Sequence, residues 1–143
     1  MVHALKEIRR VLVPGGILID LRPLLDGWPL EVASIGGDLE AGRSTDLPEP
    51  LEDDKAANAA MLEASRQGWF RREGGEVFPF YYYWDTPQEM QEYIDGTWDD
   101  VITVGNDVWD RLRSKWATAN ADARVRIRMK MSIASWRKIN FDE

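Results

Sequence analysis

The stretch that decides the reading is Ala4-Leu5-Lys6-Glu7-Ile8-Arg9-Arg10-Val11-Leu12, followed by Pro14-Gly15-Gly16 and then Ile17-Leu18-Ile19-Asp20-Leu21. Ala4, Leu5, Ile8, Val11 and Leu12 recur at helical spacing, with Lys6, Glu7, Arg9 and Arg10 on the other face. Pro14 cannot continue the helix, and the glycines supply the positive φ that reverses the chain. The nearly continuous apolar run 17–21 predicts a strand buried on both faces, stopped by Pro23. Helix, tight turn and central strand make half of an α/β unit.

Working outward, residues 24–50 hold Pro29, Pro48 and Pro50 and read mostly as connection. A hairpin is expected there from Leu30–Ile35 and Leu39–Thr45 around Gly36-Gly37-Asp38. Residues 51–67 are rich in Ala, Leu, Met and Glu and predict a helix, with acids in its first turn and Gly68 ending it. Trp69–Glu73 and Glu76–Trp84 read as antiparallel strands joined at Gly74-Gly75. Thr86-Pro87-Gln88-Glu89 is a helix start, and the helix is expected to reach Asp95 and stop at Gly96. Another opens at Asn106, with Trp109, Leu112 and Trp116 as its stripe. From Arg124 to Lys130 cations alternate with aliphatics, so Val125, Ile127, Met129, Met131 and Ile133 are expected to face one way along a strand.

The chain has 143 residues, 44% hydrophobic and 30% charged, an ordinary balance for one folded domain, 1–143. Its net charge of −7 opposes a general nucleic-acid or anionic-membrane binder, since phosphate neutralisation needs a cationic footprint. It contains no Cys, which excludes disulfides and thiolate chemistry and fits a reducing cytoplasm. One His removes triads and paired-His metal sites. No apolar run reaches membrane-spanning length and no signal-peptide pattern opens the chain, so a cytoplasmic protein is expected. Seven Trp require a core or a pocket to hold them.

Residues 4–12 with Pro14-Gly15-Gly16 and Ile17-Leu18-Ile19 resemble a segment of the class I S-adenosylmethionine-dependent methyltransferases. In that family the segment is the helix before the fifth sheet strand, a Pro-Gly-Gly turn, and the strand. The resemblance implies an α/β to α+β protein: a partial Rossmann-like methyltransferase fold, with a mixed sheet of about four to six strands and helices packed on it. Residues 1–23 would supply the helix, turn and strand. Residues 24–143 would be the family's variable C-terminal region, a lid followed by two late antiparallel strands. The family's glycine-rich cofactor loop and ribose-binding acid lie upstream of this segment, and here only 13 residues precede Pro14. Ile35-Gly36-Gly37-Asp38 and Gly74-Gly75 do not replace them. The expectation is therefore a methyltransferase-like fragment or remnant related to small-molecule enzymes and inactive alone. S-adenosylmethionine would bind only if an N-terminal half or a partner completed the site. The alternative is a non-catalytic binding or oligomerisation module of α+β type.

Substrate-facing groups are expected outside the carboxyl end of strand 17–21, at Asp20 and Arg22 followed by Trp28, with Tyr82 from the aromatic run Phe78–Trp84. Each has a plainer reading. Asp20 and Arg22 make a structural ion pair, Trp28 covers a loop, and the aromatic run is the core of an inner strand, with Pro79 marking a bulge or an edge. No nucleophile has an identifiable base, so no catalytic, cofactor-binding or metal residue is named; Asp53-Asp54 and Asp99-Asp100 read as solvated or capping acids. Residues 73–110 carry acids and no Lys or Arg, whereas 111–138 are basic apart from Asp122. Mutual neutralisation of the two stretches is expected, either within the fold or across a dimer interface. With its neighbouring strand missing, strand 17–21 would expose an apolar edge. A homo-oligomer, most simply a dimer, or a complementary cofactor-binding chain is expected to cover it.

Overall fold

A computed structural model describes residues 1–140. The elements run α1 (Val2–Val11), β1 (Ile17–Leu24), β2 (Pro29–Ser34), β3 (Gly37–Arg43), β4 (Thr45–Asp46), α2 (Pro48–Arg66), β5 (Phe70–Trp84), α3 (Pro87–Thr97), β6 (Ile102–Thr103), α4 (Asn106–Ala117) and β7 (Arg124–Lys138). Among the described residues this is an α+β protein with four helices, a five-stranded antiparallel sheet and a small two-stranded sheet of β4 and β6. The contacts of the described residues gather into two compact units, one of 1–24, 52–78 and 131–140, the other of Leu25–Leu51 and Pro79–Lys130.

In the first unit β7 lies between β1 and β5. Successive amides show this: Lys138 N–H donates to Gly16 O at 2.8 Å, and Ile139 N–H donates to Trp69 O at 3.0 Å. The last residue of β7 thus meets the residue just before β1, so the two strands run antiparallel. Leu5 of α1, Ala60, Met61 and Ala64 of α2, Phe70, Ala134 and Trp136 form the buried cluster, with Ile8, Leu12 and Leu18 packed against it. The small residues of α2 let it approach closely, as its alanine content suggests. The expected stripe of α1 narrows to Leu5, Ile8 and Leu12, because Val11 is exposed. Gly15 takes φ 71° in the predicted turn. Arg137 Nη1 donates to Gly15 O at 2.8 Å and Lys138 Nζ donates to Leu12 O at 2.7 Å, so the end of β7 clamps that turn.

Three expectations are corrected here. β1 runs past Pro23 to Leu24, and it alternates between half-buried and exposed residues rather than being buried on both faces. Ile17, Ile19 and Leu21 remain 47%, 55% and 53% exposed. The apolar run is real, but among the described residues α1 and α2 cover only the face that carries Leu18. The hairpin turn assigned to Gly74-Gly75 does not exist: β5 continues through both. A Cβ on Gly75 would stand 2.7 Å from the Ile133 carbonyl oxygen and 3.3 Å from Ala134 Cα. Glycine is there for close approach of two strands, not for reversal. Gly75→Ala is expected to cost about 2 kcal/mol through forced displacement of β7, read by urea unfolding. Gly74→Ala, whose Cβ meets nothing within 4 Å, is expected to change stability by less than about 0.5 kcal/mol. Equal effects at both positions would disprove the close strand approach.

In the second unit β2 pairs β3 as a hairpin, with Ser34 opposite Gly37 and a register shift between Leu30 and Glu31. The expected hairpin is present, its turn centred one residue earlier at Ile35-Gly36. β2 also pairs β7 antiparallel, Leu30 opposite Ile127 and Val32 opposite Val125. α4 packs on β3 and β2, and α3 packs on α4. Leu30, Val32, Met90, Ile94, Leu112, Val125 and Ile127 are fully buried or nearly so. Thr86 caps α3 as its sequence foretold, accepting from Glu89 N–H at 3.2 Å. α2 begins at Pro48 rather than at 51.

The strand expected at 124–130 extends to Lys138, and its buried side changes along the way. Val125, Ile127 and Met129 are buried in the second unit, while Ala134 and Trp136 are buried in the first. Met131 and Ile133, expected to continue the odd-numbered stripe, are only half-buried.

Candidate functional site

β1, α1 and α2 bound an open groove of about 210 Å³ in the first unit. Its walls are mostly apolar, from Leu5, Ile8, Leu18, Ala57 and Met61, with Asp20 and Arg22 at the polar end. Alternation along β1 puts both charged residues on the helix-covered side. Arg22 Nε and Nη2 grip both oxygens of Asp20 at 2.8 and 3.0 Å. Arg22 Nη2 also donates to Asn58 Oδ1 at 2.8 Å, and Nη1 stands 4.0 Å from Asp54. Asp54 and Asn58 are one turn apart on α2 and so present themselves to the same guanidinium. Asn58 was not a candidate on sequence; its signal was that i, i+4 spacing, legible only once α2 was known to face β1. The arrangement holds Asp20 and Arg22 against each other, with the Nη1 donors of Arg22 outside these hydrogen bonds. The structural ion pair is the better reading of these two residues.

Trp28 and Tyr82 belong to the second unit. Trp28 is 2% exposed, and its backbone N–H donates to Ser44 Oγ at 3.0 Å. Its ring meets Trp98 edge-on at 6.1 Å. Tyr82 packs with Trp84, Tyr93 and Trp98, and the six centroid separations among these four rings run from 5.1 to 6.3 Å. Those are direct ring-to-ring packing distances, which leave no slot for a planar ligand between them. The aromatic run is nevertheless not the buried core of an inner strand: Phe80, Tyr81, Tyr82 and Tyr83 are all exposed. β5 has β7 as its sheet neighbour, so its other edge and much of its surface stay open. Pro79 suits that edge position. On the other face of β5, the Arg126 guanidinium lies 4.4 Å from the Tyr81 ring centroid and Arg124 lies 5.1 Å from that of Tyr83.

The most buried polar cluster was invisible in the sequence. Glu31 and Arg126 have side chains only 8% and 12% exposed and are bonded at 2.9 Å. Arg126 also donates to Asp38 and to the Tyr83 hydroxyl, each at 2.9 Å, and Arg128 approaches Glu31 at 3.4 Å. Burial works to lower the Arg126 pKa, but the hydrogen bonds to Tyr83 and Glu31 outweigh it and raise the pKa, so the cation is permanent. Lys130 pairs with Asp26. Arg126, Arg128 and Lys130 therefore draw their acids from residues 26–38, whereas Arg111 and Arg113 of α4 pair with Asp107 and Asp110, so the expected neutralisation by residues 73–110 holds only in part. Arg124 with Asp85 at 3.0 Å and Arg137 with Glu73 do follow that expectation. With each of these cations paired, the stripe offers little to phosphates. Among the described residues no group of three His, Asp or Glu side chains is placed to hold a metal ion, and no helix is long and apolar enough to cross a membrane.

Asp46 carries a pH dependence. Its Oδ2 accepts from Gly27 N–H at 3.0 Å while Oδ1 is buried without a hydrogen-bond partner. Burial raises its pKa above the ordinary 3.8, the Gly27 bond opposes this, and neighbouring Asp26 adds to the rise. The folded protein thus holds this proton more tightly than the unfolded chain, and ionisation at neutral pH is destabilising. Asp46→Asn is expected to gain on the order of 0.5–1 kcal/mol at pH 7. Because both states are protonated below pH 3.8, the gain should vanish there. Urea unfolding across pH 3–7 checks the slope.

No protein-family model, no curated protein and no solved structure matches this chain.

Proposed function

We propose that the chain is a methyltransferase-like part or remnant that carries the helix, Pro-Gly-Gly turn and strand of that fold without a cofactor site of its own. One observation carries the reading: α1, the turn at Pro14-Gly15-Gly16 and β1 follow one another as the resemblance implies, with the late antiparallel strand β7 beside β1 and β5 paired to β7. A Rossmann-like ancestry gives this order a reason. The groove beside β1 is lined by no glycine, and its charged groups are ion-paired with one another. Methyl transfer depends on positioning both reactants and excluding water, so S-adenosylmethionine chemistry requires a cofactor-bearing half or partner. Calorimetric titration with S-adenosylhomocysteine is expected to give no binding heat from the folded chain. Micromolar binding would overturn the reading.

A second reading, a non-catalytic assembly module, is favoured by a different observation. β1 presents three exposed apolar residues, Ile17, Ile19 and Leu21, and has β7 as its sheet neighbour. An edge of that kind is a template for another strand. Light scattering on the titrated sample tests it: self-association at micromolar concentration supports an assembly role, and a monodisperse monomer removes it.

A further inference from the structure

We infer that the free edge of β1 pairs antiparallel with the β1 of a second copy, about a two-fold axis through Leu21; this rests on the assembly reading above. Gly16 O accepts from Lys138 of β7. Main-chain groups alternate along a strand, so those of Leu18, Asp20 and Arg22 also turn toward β7, and those of Ile19, Leu21 and Pro23 turn toward the free edge. The open side chains Ile17, Ile19 and Leu21 are the odd-numbered residues too. A second strand that keeps its own open face on the same side must pair odd with odd, which restricts the two-fold axis to a residue rather than a gap.

Charge selects among the residues. An axis at Asp20 sets two carboxylates directly opposite. An axis at Ile19 sets Asp20 against Leu18 and Arg22 against Gly16, giving neither charge a partner across the edge. An axis at Leu21 makes Leu18-Ile19-Asp20-Leu21-Arg22-Pro23-Leu24 its own complement. Asp20 then faces Arg22 of the other copy, Ile19 faces Pro23, Leu18 faces Leu24, and Leu21 faces itself. Asp20 and Arg22 are already ion-paired within one chain. The dimer would therefore close an alternating square of two carboxylates and two guanidiniums, while Ile19 and Leu21 of both copies form one apolar stripe. Cross-strand pairs of opposite charge and of apolar side chains both stabilise a sheet. The two Leu21 residues exchange a pair of main-chain hydrogen bonds. Each Ile19 N–H donates to the Pro23 carbonyl of the other copy, and only the bond that Pro23 has no N–H to make is lost.

The test uses two independent readouts on the full chain. In the first, Asp20→Arg and Arg22→Asp are each purified, checked for native circular dichroism, and sized by light scattering alone and mixed. Each alone sets like charges across the edge and should be monomeric. The mixture sets the two guanidiniums of one variant against the two carboxylates of the other and should form a dimer. In the second, the natural absence of cysteine allows single substitutions. Opposite residues in a hydrogen-bonded pair lie about 5.5 Å apart at Cα, within disulfide reach. Leu21→Cys should therefore oxidise to a linked dimer at least tenfold faster than Ile19→Cys. A monomeric wild-type chain would overturn both the inference and the assembly reading. A wild-type dimer with Ile19→Cys linking faster, or with dimers surviving in both charge variants alone, would overturn this pairing and leave assembly by another surface.

Discussion

Phe70→Ala is expected to destabilise the protein by about 3–5 kcal/mol. Phe70 has no exposed surface and closes the cluster formed by Leu5, Ala60, Met61, Ala64, Ala134 and Trp136. Truncation loses the transfer free energy of the ring and leaves a cavity. Many of the neighbours are alanines, with no side chain long enough to collapse into the space, so the loss should fall in the upper part of that range. The fall in the urea midpoint, with the slope of the transition unchanged, is the measurement. A loss under about 1.5 kcal/mol would mean that α1 and α2 do not seat on β5 and β7 as described.

The second large effect is at the buried ion pair. Arg126→Met removes the principal partner of Glu31 and strands a carboxylate whose side chain is 8% exposed. Breaking a buried pair from one side costs about 3–5 kcal/mol. Here Arg128, 3.4 Å from the other Glu31 oxygen, offsets part of that, so about 3 kcal/mol is expected. The double variant Glu31→Leu with Arg126→Met removes both charges and should recover most of the loss, because desolvation of a pair absorbs most of its own attraction. Additive losses would show that Arg126 acts mainly through Tyr81, Tyr83 and Asp38, and the double-mutant cycle separates the two accounts.

What the sequence disclosed followed how local each signal was. The α1 stripe, the Pro-Gly-Gly reversal, the Thr86 cap and the β2–β3 hairpin all depend on residues within one turn or one strand of each other, and they were legible. Gly74-Gly75 was misread because a glycine pair signals both reversal and close approach, and only the position of β7 decides between them. The apolar run of β1 signalled two-face burial because such runs normally arise that way; one uncovered face breaks the rule without altering the residues. The change of buried side in β7 had no local signal. Glu31 lies within the expected strand Leu30–Ile35, and nothing in its neighbourhood announced Arg126, which lies far along the chain. Asp20 and Arg22 were found by position alone, and the geometry then assigned them to each other.

The first unit draws on three separated pieces of chain, and its core needs Leu5 from the first, Phe70 from the second and Trp136 from the third. During synthesis that core stays incomplete until β7, which carries Ala134 and Trp136, has left the ribosome. The second unit likewise receives Val125 and Ile127 only when β7 emerges. Translation therefore delivers a long unfinished chain with its apolar segments uncovered, and high sequence separation between partners slows closure further. A chain cut before Arg124 lacks the strand that pairs with β2 and β5, so Leu30, Val32 and Phe70 lose the sheet neighbour that completes their clusters.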